Sequence, residues 1–417
     1  MMGPSAKLEW QRGWQLVALT SLGLVFAPTT VPIYTLGLFV APLQAAYGWS
    51  HGEIQAAILF STGGGLVGGP LAGWLVNRLG LRTAIITGAL GIAAAFASIA
   101  LLQGMLWQFY LSYALIALLG AGTSAVTWSC LIVGQFAASR GLALGVALSG
   151  TGLSAILTPW IAEFGIATGG WRLAFIMLAA FPALIIAPAC LWLLPRDLRV
   201  ATASAIGEAK HEGHSIELGA ALKSRQFWLM GLSTAAVYLA LGGIIPNLVP
   251  AMTAKGMPRA EAISLMGILG AAIIIGRLAV GAALDRFWAP AVATAVLIPT
   301  AAACLLMTTD ASFLVSAIAV ALVGVATGME FDVLAFVIAR YFGMADYARI
   351  YGRLYIFLAC SAGSAPFAFG AIFDQFRSYT VAFLFSAALL VLGAAGLLLM
   401  GRYPKLSASS DGNVAHE

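Results

Sequence analysis

The sequence predicts an all-α membrane protein, with twelve transmembrane helices in two six-helix bundles related by pseudo-symmetry. Three observations predict it. First, 61% of the 417 residues are hydrophobic and 9% are charged, with mean hydropathy +0.96. A soluble domain of this size carries about 25% charged residues. Second, the apolar residues gather into twelve runs, each long enough to cross a hydrocarbon core of about 30 Å as a helix. Third, one long polar stretch separates six runs from the next six.

The runs lie at 14–46, 54–76, 83–102, 106–136, 141–166, 172–194, 226–253, 261–284, 289–308, 312–339, 347–372 and 379–401. Residues 1–195 are therefore expected as an N-terminal bundle, 196–225 as a cytoplasmic central loop, and 226–417 as a C-terminal bundle with a short cytoplasmic tail. The N-terminal segment reads as uncleaved, because the apolar run from Trp14 continues to full span length. Lys and Arg fix the expected orientation: sixteen fall on the side of the termini, four on the other, and Arg277 is the remaining one of 21. Both termini are thus expected in the cytoplasm, with the protein in the plasma (inner) membrane of a bacterium-like cell.

Several runs carry their own signals. The first contains Pro28, Pro32 and Pro42, and the seventh Gly242, Gly243, Pro246 and Pro250. Each proline removes a backbone donor and allows a bend, so these two spans are expected to line and gate a cavity. In the second, Gly64, Gly65, Gly68, Gly69 and Gly73 predict close helix packing. No Gly-Lys-Ser/Thr follows them, so they do not form a phosphate loop. The fourth holds Trp128, a candidate ring-stacking residue whose bland alternative is core packing. Glu163, near the outer end of the fifth, reads as a rim residue, with a gate as the alternative. Polar Tyr34, Tyr238, Asn247 and Tyr355 lie inside spans one, seven and eleven and are candidate substrate contacts.

The apolar stretch Ala262 to Phe287, which holds the eighth run, carries Arg277 eight residues before Asp285, about 12 Å inside the helix end. A cation at that depth costs about 2.5–3.5 kcal/mol on insertion scales. An acidic partner, water or an anionic ligand has to compensate it. Guanidinium is always charged and grips a carboxylate through two parallel hydrogen bonds. The expectation is that Arg277 binds the carboxylate of a transported substrate; the competing reading is a structural ion pair. Glu330 and Asp332 in the tenth run are as costly to bury, and are the candidate proton-coupling groups. Two residues apart on a helix they point about 200° apart, so only one is expected to face the cavity.

The halves also look like repeats. Asn77-Arg78 closes the second span and Asp285-Arg286 the eighth, while Arg140 opens the fifth and Arg349 precedes the eleventh. Such repeats imply a site between the halves, reached alternately from each side. Gly73 to Arg82 resembles the loop signature of the major facilitator superfamily, with Asn77 where the family usually has Asp. Asn77, Arg78, Asp285, Arg286 and Arg140 are expected as gating or structural residues. Arg140-Gly141-Leu142-Ala143-Leu144-Gly145 with Ser149-Gly150-Thr151-Gly152 resembles the fifth-span signature of the monocarboxylate porter and oxalate/formate antiporter group. Gly170-Trp171-Arg172, Arg340-Tyr341-Phe342-Gly343, Ile350-Tyr351-Gly352, Ala365-Pro366, Gly370 and Asp374 are similar to that group as well. The resemblance implies the twelve-helix fold, small organic anions as substrates, and Arg277 as the group's eighth-span Arg. The oxalate/formate members' eleventh-span Lys is replaced near Leu358, which suits a monoanion better than a dianion. The first-span Lys of the animal porters corresponds to Tyr34, so a mechanism using that Lys does not carry over.

The sequence therefore predicts a secondary active transporter of small organic monocarboxylates, with proton-coupled uptake by alternating access. Carboxylate exchange without a proton is the first alternative. A drug exporter and a non-transporting sensor rank lower, the former because Arg277 would repel cationic drugs. No enzyme is expected, since the spans hold no Ser/His, Cys/His or metal-ligand cluster, and no cofactor is implied. Cys130, Cys190, Cys304 and Cys360 read as small apolar residues. The expected partners are the carboxylate, the proton and the lipid bilayer, without nucleic acid and with the protein a monomer.

Overall fold

The computed structural model describes residues 4–136, 138–195, 217–309, 312–343 and 346–403. Most of the central loop, with Arg196, Arg199, Glu208, Lys210, His211, Glu212 and His214, lies outside the described residues, as does the tail beyond 403. All regular structure among the described residues is helical, and eleven helical stretches are long and apolar enough to cross a membrane. One of them, Arg140–Leu193, runs for 54 residues, about 81 Å if it were a single straight helix. It is two spans. Gly169 and Gly170 leave helical geometry, and Gly170 takes φ 79°, open to glycine at no steric cost. A Cβ on Gly165 would lie 2.4 Å from the Ala174 Cα, so the chain doubles back between them. Twelve crossings result.

We label them α1 (Lys7–Tyr47), α2 (His51–Leu79), α3 (Leu81–Ala100), α4 (Leu106–Val133), α5 (140–168), α6 (171–193), α7 (Arg225–Ala254), α8 (Arg259–Leu284), α9 (Ala289–Leu306), α10 (Phe313–Phe342), α11 (Tyr347–Phe376) and α12 (Thr380–Leu398). Neighbour relations repeat six helices on. α2 packs on α4 as α8 packs on α10, α1 on α5 as α7 on α11, and α3 on α6 as α9 on α12. Between the halves α2 meets α11, α5 meets α8, and α1 meets α7. That pattern is the pseudo-two-fold expected of two related bundles.

The glycine run of α2 packs on one side only. A Cβ on Gly64 would lie 2.8 Å from the Ala114 carbonyl of α4, and one on Gly68 3.1 Å from that of Ala117. Gly65, Gly69 and Gly73 would meet nothing within 4 Å. Helical periodicity separates the two sets onto different faces. Of the three α1 prolines, Pro28 sits where the helix breaks at 26–29, and the Thr30 hydroxyl there lies 3.1–3.2 Å from the carbonyls of Leu24, Val25 and Ala27, with one proton to donate among them.

The two halves are joined at the end opposite the chain termini. Arg259 at the start of α8 forks onto Glu163 of α5, with N–O distances of 2.7–2.9 Å, and donates to the Leu38 carbonyl. Asp374 of α11 accepts from the backbone N–H groups of His51 (3.0 Å) and Gly52 (2.8 Å). These are unpaired donors of the α2 N-terminus, and a carboxylate there also suits the helix dipole. Pro250 leaves the Pro246 carbonyl without its helical donor. Gln55 of α2 reaches across to it at 3.4 Å and to Asn247 Oδ1 at 3.1 Å. At the end bearing the termini, no hydrogen bond or ion pair joins the halves among the described residues. Among the described residues the halves are thus tied at one end and carry no such polar tie at the other, here called the parted end.

Candidate functional site

Arg277 sits where the closed part ends. Three glycines bring α8 and α10 into backbone contact around it. A Cβ on Gly276 would lie 2.6 Å from the Val325 Cα, on Gly324 2.6 Å from the Leu269 carbonyl, and on Gly328 2.4 Å from the Ile273 carbonyl. The spacing of Gly324 and Gly328 is the four-residue small-residue pattern of tight helix pairs. Gly152 of α5 presses in turn on Ile274 and the Gly270 carbonyl. Ser149 interrupts α5, and the Leu148 carbonyl at that junction accepts from Arg277 Nη1 at 3.3 Å. The Ser149–Gly152 signature thus forms the wall that meets Arg277 from the other half.

The Arg277 side chain is 9% exposed, and its Nε lies 3.8 Å from Asp332 Oδ2. That nitrogen is buried without a hydrogen bond. The pair is therefore a Coulombic contact rather than a bidentate clasp, and Asp332 retains 32% exposure. Glu330 points elsewhere. It lines a cavity of about 40 Å³ inside the C-terminal half, together with Ser233, Thr234, Tyr238, Met329 and Leu297. Glu330 Oε1 and the Tyr238 hydroxyl are both buried there without a regular hydrogen bond. The two α10 carboxyls thus occupy different faces, and Asp332 is the one beside Arg277.

Tyr34 is 8% exposed and lies within electrostatic reach of both Arg277 and Glu330. Tyr238 neighbours Glu330, Tyr351 and Tyr355 in the same sense, and Tyr351 neighbours Asp332. The structure thereby brings together Arg277, Asp332, Glu330, Tyr34, Tyr238 and Tyr355, and adds Tyr351. It puts two other candidates elsewhere. Asn247 is bonded to Gln55 and to the Gly243 carbonyl at the closed end. Trp128 is fully buried in the N-terminal half, where its ring fills the space a Cβ on Gly23 would need. Its core-packing alternative describes that position.

Asn77, Arg78, Arg140, Asp285 and Arg286 are all exposed at the parted end. Arg78 lies over the Trp74 ring at 5.4 Å, and Arg140 Nε donates to the Phe136 carbonyl. None of the five bridges the halves among the described residues. The sequence reading missed His51, Gln55 and Arg259 as cross-half contacts; Glu163, read as a rim residue with a gate as the alternative, is paired with Arg259. Arg259 carried a usable signal, a cation at a span edge with two acids, Glu53 and Glu163, at the same edge of the other half.

The geometry is that of a membrane transporter, a polar site between two related bundles. The chain belongs to the major facilitator superfamily, whose family model matches residues 16–334 and again 232–415. It is 28% identical over 242 residues to the MFS-type transporter pytF of Aspergillus terreus, covering 56% of this chain and 74% of that one. Among solved structures it is similar to a bacterial homolog of the human lysosomal transporter Spinster, in inward-facing and unoccupied form. That match has TM-score 0.68 and 17% identity, covering 96% of this chain and 98% of the other. The Escherichia coli fucose:proton symporter FucP (N162A) matches with TM-score 0.59 and 18% identity, over 93% and 98% of the two chains.

Proposed function

We propose that the protein takes up small organic monocarboxylates with a proton, by alternating access around Arg277. One observation carries the reading: a guanidinium nine-tenths buried in the membrane, between the halves, whose Nε has no hydrogen bond and whose acidic partner is 3.8 Å away. A guanidinium held so loosely has donors to offer an incoming carboxylate. A structural ion pair would be expected to close to hydrogen-bond distance, as Arg259 and Glu163 do at 2.7 Å.

Charge balance gives Asp332 its role. With the site empty, Arg277 and Asp332 neutralise each other. A bound monocarboxylate adds one negative charge in a low-dielectric space, where an uncompensated charge is costly. A proton on Asp332 restores neutrality, so substrate and proton travel together. Rocking of the halves would then separate the Arg259–Glu163 and Asp374–His51 contacts and close the parted end. By the Lys and Arg distribution the parted end is the cytoplasmic one, and the chain sits in the plasma membrane with both termini inside.

The test is uptake into proteoliposomes across short aliphatic, dicarboxylic and aromatic acids, with and without an inward proton gradient. Gradient-dependent accumulation of a monoacid, lost in Arg277→Ala, supports the proposal. Accumulation that requires only preloaded counter-substrate overturns the proton and establishes exchange. Unaltered transport by Arg277→Ala overturns the carboxylate role.

A further inference from the structure

Aromatic rings from four helices gather near Arg277, Asp332 and Glu330, with Tyr34 beside Arg277, Tyr351 beside Asp332 and Tyr238 beside Glu330. On α11, Tyr347, Tyr351 and Tyr355 recur every fourth residue, so they share one helix face. Their rings stack in sequence, with centroids 5.9 Å apart at 29° and then 6.3 Å apart at 18°. Tyr238 of α7 meets Phe331 of α10 edge to face at 5.8 Å. Tyr34 of α1 completes the group on the side of the other half.

The free hydroxyls and ring faces of α11 are the informative part. Tyr347 donates to the Ala335 carbonyl at 3.5 Å. The Tyr351 and Tyr355 hydroxyls have no hydrogen-bond partner among the described residues, and both side chains are only partly buried. They lie beside Asp332 and Tyr238, on the parted side of the site. An acid of two or three carbons would engage the guanidinium and leave this surface in water. A flat ring would cover it, and aromatic faces and edges attract one another through their quadrupoles as well as through buried area. The adjacent hydroxyls would also hydrogen-bond polar substituents on such a ring.

We propose that the substrates are planar aromatic monocarboxylates, with the carboxylate on Arg277 and the ring against the Tyr351–Tyr355 face. This rests on the carboxylate reading of Arg277. It makes Tyr351 and Tyr355 specificity-determining residues.

The experiment is counterflow of radiolabelled benzoate in proteoliposomes, with competition by cyclohexanecarboxylate, propionate and benzamide. Counterflow needs no proton gradient, so the result is independent of coupling. The expected order is benzoate at least tenfold tighter than propionate and several-fold tighter than cyclohexanecarboxylate, with benzamide weak. Tyr351→Leu and Tyr355→Leu should each raise the benzoate half-saturation about tenfold, a larger factor than for propionate, while Tyr→Phe at either position keeps benzoate within about threefold. Equal affinity for propionate and benzoate overturns the aromatic class while leaving the carboxylate reading intact, as does an equal shift of both acids in the Leu variants. Benzamide binding as well as benzoate overturns the carboxylate reading instead. If a Leu variant fails to fold, the competition order in the parent protein decides alone.

Discussion

Arg277 Nε and Asp332 Oδ2 stand 3.8 Å apart across the α8–α10 interface, charged neighbours without a hydrogen bond between them. A lysine at 277 would keep the charge and lose the planar fork that grips a carboxylate with two parallel bonds. Arg277→Lys is therefore expected to bind substrate at least tenfold more weakly, about 1.4 kcal/mol. Arg277→Ala is expected to abolish uptake, since it leaves Asp332 unpaired and removes the anion site. Saturation curves for both variants, normalised to protein in the liposomes, check this. A lysine variant with the parent's affinity would argue against bidentate binding.

The proton should follow Asp332. Protonation accompanies substrate entry, so uptake by the parent should rise as external pH falls. In Asp332→Asn the site is already neutral with substrate bound, so the pH slope should flatten and accumulation against a gradient should be lost, while counterflow persists. Glu330 lies on the other face of α10, in the small cavity beside Tyr238. Glu330→Gln should retain the pH slope. The assignment fails if Asp332→Asn still accumulates substrate on a proton gradient.

Closure of one end depends on Arg259 and Glu163. The pair is partly exposed, 34% and 22%, so its direct energy is modest, of order 1 kcal/mol. That is still enough to move an equilibrium between two states several-fold. Glu163→Gln should increase labelling of a cysteine introduced at Leu38, whose carbonyl Arg259 also binds. Unchanged labelling would mean that packing alone keeps this end closed.

Gly270 tests the packing part. A Cβ there would lie 2.4 Å from the Gly152 carbonyl and 2.6 Å from Ile156, and backbone does not yield to a side chain as a flexible neighbour would. Gly270→Leu should hold α5 and α8 apart and favour the state closed at the end bearing the termini. Spin labels on α5 and α8 at the Arg259 end should report a longer distance than in the parent. Gly328→Ala, against the Ile273 carbonyl, should instead destabilise the C-terminal half, by about 1–3 kcal/mol, read as a lower midpoint of thermal unfolding.

Much of the fold was legible because a bilayer imposes simple rules. Backbone groups in hydrocarbon must be paired within a helix, so length and apolarity alone mark a span. The twelve runs and the turn at Gly170 follow from this. The cost of a buried charge likewise singled out Arg277, Glu330 and Asp332 from 37 charged side chains in the chain. The sequence could not say which carboxyl faces Arg277, since the 200° between them gives their separation around α10 but not the rotation of α10 against α8. Gly276, Gly324 and Gly328 set that rotation through backbone contact. Trp128 and Asn247 show the same limit. Each is a polar or amphipathic residue inside a span, and only their surroundings, Gly23 for one and Gln55 for the other, reveal what they touch.

By itself the sequence determined that this chain lives in a membrane, how many times it crosses, and which few charges are too costly to be incidental. Those are properties of each segment's transfer from water to lipid, summed locally. The tertiary structure decided which end is tied shut, that Asp332 and not Glu330 pairs with Arg277, and that tyrosines from separate helices gather around them. Those depend on how helices far apart in the chain are rotated and pressed together, and packing of that kind is set by contacts that no single segment contains.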